Sequence, residues 1–247
     1  MTAWTRTIRL RGISARVEGR PLPLSASPTP PSLSEAAPVR LPGVTGATPA
    51  AISDAFRHLT VIIAIDDSGS TQPPHGTDPY AVRYAAAHAV TKWMRRQGGG
   101  QIGVVHWGST APARLAVGPV PVNRRMRTLR RALNQRPNLG WTVPAAALRR
   151  AARLLPAPAP DQTQVVLILT DAEDCGDGLA EAIGLLPEHA VHVLIVGDGT
   201  QDADWEALPF ASITRLPSFD NQALALSCGA VLAGALGLRL RPPTSSP

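Results

Sequence analysis

Apolar and polar positions change rhythm along the chain. Residues 4–17 alternate: Ile8 and Leu10 share one side, and Thr7, Arg9 and Arg11 the other, the period of a half-buried strand. After Gly12 the apolar phase moves to Ile13, Ala15 and Val17, which predicts a bulge or a turn. From about residue 57 the alternation gives way to short continuous apolar runs. Residues 60–65, 102–107, 165–170 and 191–196 are rich in Val, Ile and Leu and read as strands covered on both faces. A weaker run spans 212–216, and 113–117 predicts a strand antiparallel to 102–107 across the turn at 108–112.

Helical periods fill the gaps. Asp78-Pro79 supplies an N-cap and a first-turn proline, followed by Tyr80, Tyr84, Ala87, Thr91 and Met94 on one side and a glycine stop at 98–100. Asn123 caps a second helix, with Met126, Leu129 and Leu133 inward and Arg124, Arg127 and Arg131 outward. Further helices are expected over 143–155, 179–186, 203–208 and 221–238. Strands alternating with helices predict an α/β fold: a doubly wound, mostly parallel six-stranded sheet with helices on both faces and one antiparallel edge strand. Ligands of such sheets bind beyond the carboxyl ends of the strands, where strand order reverses.

Composition adds an organisation to that pattern. The 247 residues include 25 prolines and 21 glycines, and eight of the prolines fall within residues 21–50. Segment 18–56 therefore reads as a disordered Pro-rich linker between a strand-like segment, 1–17, and a globular domain, 57–240; residues 241–247 form a disordered tail. Two cysteines exclude a disulfide scaffold and a Cys-based zinc finger. The longest apolar run, 223–238, is Ala- and Gly-rich and shorter than the ~20 strongly apolar residues of a membrane span. Arg6, Arg9, Arg11 and Arg16 interrupt any signal-peptide core, so a cytoplasmic protein with reduced thiols is expected.

The net charge of +6 conceals a split. Residues 1–56 carry +3, residues 57–160 carry +12 and residues 161–247 carry −9. A nucleic-acid binder would more simply present one uniform basic surface.

The first strand of the domain ends in Asp66-Asp67-Ser68-Gly69-Ser70. A carboxylate followed by two hydroxyls at alternate positions, with a glycine between them, can wrap one loop around a small cation. Oxygen-only ligands suit a hard ion such as Mg²⁺. Thr142, before a helix, and Asp171, at the end of another central strand, can bring two further loops to the same ion.

Asp66-x-Ser68-x-Ser70, Thr142 within Gly140-Trp-Thr142, and Asp171 within Leu169-Thr-Asp171 together resemble the metal-ion-dependent adhesion site of von Willebrand factor A domains. All five positions match, in order, and the resemblance covers about residues 57–240. It implies a Rossmann-like fold with the first and fourth strands adjacent. It implies that Ser68, Ser70 and Thr142 touch Mg²⁺ or Mn²⁺, that Asp66 and Asp171 act directly or through water, and that a partner's carboxylate completes the octahedron. The implied function is a non-enzymatic protein-interaction module. Stand-alone bacterial A domains often work beside AAA+ ATPases or within multi-protein signalling or stress systems. The chain departs from the family where Ala172 replaces a frequent glycine and Asp67 adds a second acid.

Other residues receive plainer readings. Glu173, Asp174 and Asp177 read as a solvated acidic loop beside Asp171, with a rim that tunes metal or partner affinity as the alternative; Cys228 is expected to pack in the core and Cys175 to be a free thiol. Trp107 and Trp141 flank the site loops, with packing as the default and a rim role open to Trp141. The six histidines show no ligand spacing. Ser68 stands where aspartyl-phosphate phosphatases carry their acid/base aspartate, which argues against a metal-dependent hydrolase. Arg124, Arg125, Arg127, Arg130 and Arg131 define the alternative of a nucleic-acid-associated adaptor. The charge split also permits self-association between unlike faces.

Overall fold

The computed structural model describes residues 5–10, 13–18, 39–73, 76–123, 126–172, 176–197 and 202–241, and the chain divides into two units, Met1–Pro30 and Pro31–Pro247. In the first unit, β1 (Thr5–Leu10) and β2 (Ile13–Glu18) pair antiparallel, from Thr5↔Glu18 to Leu10↔Ile13. The phase change after Gly12 thus separates the two arms of a hairpin.

The second unit begins earlier than the proline content suggests. Residues 44–56, expected to be linker, hold strand β3 (Val44–Thr45) and all but the last residue of helix α1 (Pro49–Arg57). Thr48 caps α1 through its hydroxyl, which accepts the Ala51 N–H at 3.3 Å, and Pro49 occupies the first turn. Ile52 and Phe56, one turn apart, turn into the core. Residues 19–38 of the expected linker and 242–247 of the expected tail 241–247 lie outside the described residues; Arg241 N–H donates to Gly43 O at 2.8 Å.

The chain then alternates as expected: β4 (Leu59–Asp66), α2 (Val82–Gln97), β5 (Gln101–Trp107), β6 (Ala116–Pro121), α3 (Arg127–Leu133), α4 (Pro144–Leu154), β7 (Thr163–Thr170), α5 (Leu179–Ile183), β8 (Val191–Val196), α6 (Asp202–Glu206), β9 (Ser212–Leu216), α7 (Asn221–Ala235) and β10 (Arg239–Leu240). One six-stranded sheet runs in the order β6-β5-β4-β7-β8-β9, and β10 pairs with β3. Every neighbouring pair in the large sheet is parallel except β5 with β6.

β4 is buried along its whole length, which explains its continuous apolar run. Its pleat divides the core: Val61, Ile63 and Ile65 pack with Phe56, Trp93 and Leu232, while Ile62 and Ala64 pack with Trp107, Leu148 and Ile168. Three element starts differ from expectation. α2 begins three residues beyond Pro79, and Asp78 caps it from outside through Val82 N–H at 2.7 Å and Arg83 N–H at 3.1 Å. Residues 113–115 form a 3₁₀ turn, so the edge strand starts at Ala116. Met126, not Asn123, flanks the first turn of α3. Met126, Leu129 and Leu133 nevertheless point inward, with Arg127, Arg130 and Arg131 exposed; Arg124 and Arg125 lie outside the described residues.

Cys228 is buried on α7, and desolvation pushes its thiol up to about 12. Cys228 should therefore resist iodoacetamide at neutral pH in the folded chain and react after denaturation, as read by peptide mass spectrometry. Rapid alkylation in native buffer would contradict this packing.

Candidate metal centre

The sheet order places β4 and β7 side by side, and both run toward the same edge. β4 is also the strand whose two neighbours, β5 and β7, are reached by crossovers on opposite sides, so the strand order reverses there. Asp66 ends β4 and Asp171 follows the last residue of β7.

Backbone contacts draw the other loops to this point. The Gly69 N–H donates to Gly140 O at 2.6 Å, joining the serine loop to the loop before α4. Gly108, just after β5, lets the same loop lie against that strand end: a Cβ there would lie 2.6 Å from Leu139 O. The Thr77 N–H donates to Ser70 O at 2.7 Å, and its hydroxyl donates to Asp171 Oδ2 at 2.8 Å. The structure thus brings together the loops that carry all five expected residues, Asp66, Ser68, Ser70, Thr142 and Asp171.

Their chemistry is that of an oxygen cluster short of positive charge. Ser68 Oγ and Ser70 Oγ lie 3.0 Å apart. Asp66 accepts the Ser68 N–H at 2.9 Å and the Thr170 hydroxyl at 2.5 Å. Burial first, and then repulsion from the Asp171 carboxylate, pushes Asp66 up to about 7, against the lowering effect of those hydrogen bonds. Thr142 Oγ1 and Asp171 Oδ1 are buried with no hydrogen-bond partner among the described residues. Unpaired buried oxygens are costly, and a cation would satisfy both and relieve the repulsion between the carboxylates. The five residues therefore fit a small hard ion. Among the described residues no three His, Cys, Asp or Glu side chains gather as metal ligands, so any ion here relies on the hydroxyls.

The structure places the two residues at which the chain departs from the resemblance. Ala172 is buried at φ +54°, in the left-handed region where a glycine is favoured. Asp67 does not join the metal loop's acids. It turns inward and is fully buried, receiving Arg83 at 3.2 Å, the Tyr84 hydroxyl, and His106 Nδ1 at 2.7 Å. Arg83 also binds Asp78 at 2.7 Å, and His106 Nε2 faces Ala132 O at 2.9 Å. The ring thus bridges the Asp67 carboxylate and the Ala132 carbonyl.

This buried network was not expected from the sequence. A histidine and an arginine interrupting apolar runs, at His106 and Arg83, were its available signal. Thr71, Thr77 and Thr170 are further supports that spacing alone did not reveal; Thr71 donates to Asp66 O at 3.2 Å and to Ser68 O at 3.0 Å. Trp107 is buried in the core, whereas Trp141 is 82% exposed. Asp177 is exposed, and Glu173, Asp174 and Cys175 lie outside the described residues.

The order of the sheet and the position of the site define a von Willebrand A-type α/β fold. Residues 61–173, which include all five candidate ligands, match the von Willebrand factor type A domain family. No curated protein matches the chain by sequence. Among solved structures, the conserved hypothetical protein BatB from Bacteroides thetaiotaomicron is 16% identical with a TM-score of 0.54, over 72% of this chain and 99% of that one. A von Willebrand factor type A protein from Catenulispora acidiphila is 18% identical with a TM-score of 0.54, over 73% of this chain and 43% of its own. Proximal thread matrix protein 1 from the mussel byssus, with a zinc-occupied metal-ion-dependent adhesion site, is 17% identical with a TM-score of 0.53, over 77% and 48%. The chain thus spans less than half the length of the latter two. At these identities the likeness establishes the fold. Among the described residues no helix is long and apolar enough to cross a membrane.

Proposed function

We propose that the chain is a non-enzymatic, Mg²⁺-dependent protein-interaction module. The observation that carries this reading is the pair of buried oxygens, Thr142 Oγ1 and Asp171 Oδ1, that have no hydrogen-bond partner among the described residues, within a cluster of hydroxyls and carboxylates. Ser68, Ser70 and Thr142 would hold the ion through hydroxyls, and Asp66 and Asp171 through carboxylates, directly or through water. Mg²⁺ or Mn²⁺ suits this all-oxygen set better than a softer metal. The ion would supply a Lewis-acidic position for a partner's Asp or Glu. The family resemblance extends the reading to a multi-protein assembly, with an AAA+ ATPase as one candidate neighbour.

The chemistry of the chain favours binding over catalysis. The hydrogen bond between His192 Nδ1 and Ser212 Oγ, 2.8 Å, joins register partners on β8 and β9 near the opposite end of the sheet. Among the described residues no carboxylate backs that ring, so it lacks the third member of a nucleophile–base–orienter set.

Capture on immobilised full-length chain, with Mg²⁺ or with EDTA, tests the reading. A partner identified by mass spectrometry should be retained with Mg²⁺, released by EDTA, and lost with Thr142→Ala. Retention of the same partners in EDTA and by Thr142→Ala would overturn it.

A further inference from the structure

Three large hydrophobic side chains are exposed among the described residues: Trp141 at 82%, Leu185 at 61% and Tyr80 at 59%. Two of the three sit on loops that build the candidate metal centre. Trp141 immediately precedes Thr142, and its N–H is pinned to Ser109 Oγ at 2.7 Å. Tyr80 lies between Asp78, which caps α2, and Ala81 at φ +55°. Its loop contains Thr77, which holds Asp171. Gln72 Nε2 ties the two loops together through Pro137 O at 3.1 Å.

The other tryptophans whose side chains are described, Trp93, Trp107 and Trp205, are fully buried. An indole left in water forfeits the hydrophobic gain that those three obtain. Trp and Tyr carry much of the binding energy of protein interfaces, because they offer large rigid surfaces with few rotors to freeze. The backbone at Trp141 is already fixed, so ordering it on binding costs little.

Charge selects the occupant. On the β7 side, Asp177 is exposed beside the site, and residues 161–247 carry −9 in total. On the other side, residues 57–160, which hold both Tyr80 and Trp141, carry +12, and the Arg136 guanidinium covers the Tyr84 ring at 3.5 Å, so only an anion short enough to stay on this side avoids the acidic one. A polyanion such as a nucleic-acid strand would meet the acidic side along its length. One carboxylate between apolar neighbours would not.

We propose that Trp141 and Tyr80 are specificity-determining anchors of the docking face. The partner they fit is a polypeptide segment whose metal-bound Asp or Glu is flanked by apolar or aromatic side chains. This inference rests on the proposed metal site and adds the character of the residues beside the partner's carboxylate.

The test uses the full chain, Mg²⁺ and a displayed peptide library with one fixed Asp between randomised positions. Peptides eluted by EDTA should be enriched in apolar, aromatic or proline residues within two positions of the Asp. Trp141→Ala and Tyr80→Ala should each weaken the best synthetic peptide about tenfold or more, with Trp141→Phe partly restoring it. Both variants should keep wild-type Mg²⁺ affinity by calorimetry and a wild-type thermal midpoint, since both rings are exposed. EDTA-eluted peptides without a flanking preference, or an empty pool from a chain that binds Mg²⁺, would overturn the proposal. Unchanged peptide affinity in Trp141→Ala, or Trp141-dependent binding of a single-stranded oligonucleotide in place of peptides, would also overturn it. Failure of the wild-type chain to bind Mg²⁺ in the calorimeter would instead remove the metal reading itself.

Discussion

Arg83→Met should lower the unfolding free energy by about 3–5 kcal/mol, the usual cost of removing one partner from a buried charge pair. Arg83 is 1% exposed and the Asp67 and Asp78 carboxylates it bridges are fully buried. Its Nη1 also donates to Thr71 O at 3.3 Å, and its guanidinium lies 4.8 Å from the centre of the Tyr84 ring. Methionine keeps much of the volume but removes the charge, leaving two desolvated carboxylates with fewer donors. Asp78 retains two backbone N–H donors; Asp67 retains Tyr84 and His106. Denaturant melts should show a lower midpoint, and heating a drop on the order of 6–20 °C for a unit of this size. Arg83→Lys should fall between, because it restores the charge without the fork that reaches both acids. A loss below about 1 kcal/mol would show that the network contributes little.

Mg²⁺ should raise the thermal midpoint of the wild-type chain. At a concentration a hundred times the dissociation constant, binding to the folded state alone contributes about 2.7 kcal/mol. That amounts to about 5–10 °C for a domain of this size. The effect follows from the arrangement of the free site, where Asp66 and Asp171 repel each other and Thr142 Oγ1 has no partner among the described residues. Asp66→Ala should abolish the Mg²⁺-dependent rise. It also removes one member of the repelling pair, so the metal-free variant should melt close to the metal-free wild type. Differential scanning calorimetry with and without Mg²⁺ reads both. An equal rise in the two proteins would place the ion elsewhere.

The strands were legible because burial on both sheet faces writes itself as uninterrupted aliphatic runs, seen in β4, β5, β7 and β8. Strand order was not written in any single run; it entered through the family resemblance, and the sheet has that order. Helix α1 was obscured by the prolines around it, although Thr48-Pro49 followed by Ile52 and Phe56 carries a cap and an apolar face. The displaced start of α2 has a physical cause. Capping groups can act from a turn outside the helix, as Asp78 does, so the cap residue need not mark the boundary.

The five candidate ligands could be read because each ends or precedes a regular element. What holds them could not. Thr77 reaches Asp171 across 94 positions and Thr170 reaches Asp66 across 104, separations at which spacing carries no signal. Asp67 shows the converse limit. A period-two alternation would place it opposite Asp66, but nothing in the local sequence says that Arg83, Tyr84 and His106 converge on it. Exposure of Trp141 was equally hidden, since tryptophan packs inward by default.

The central claim is that one divalent ion sits among Asp66, Ser68, Ser70, Thr142 and Asp171. Titration of the full chain with Mn²⁺, followed by electron paramagnetic resonance of the free ion, measures it most directly. The account predicts one Mn²⁺ bound per wild-type chain, displaced by excess Mg²⁺, and loss of that site in Asp171→Ala and Thr142→Ala with the fold retained by circular dichroism. Stoichiometric Mn²⁺ binding that survives both substitutions, or a folded wild-type chain that binds none, would contradict it.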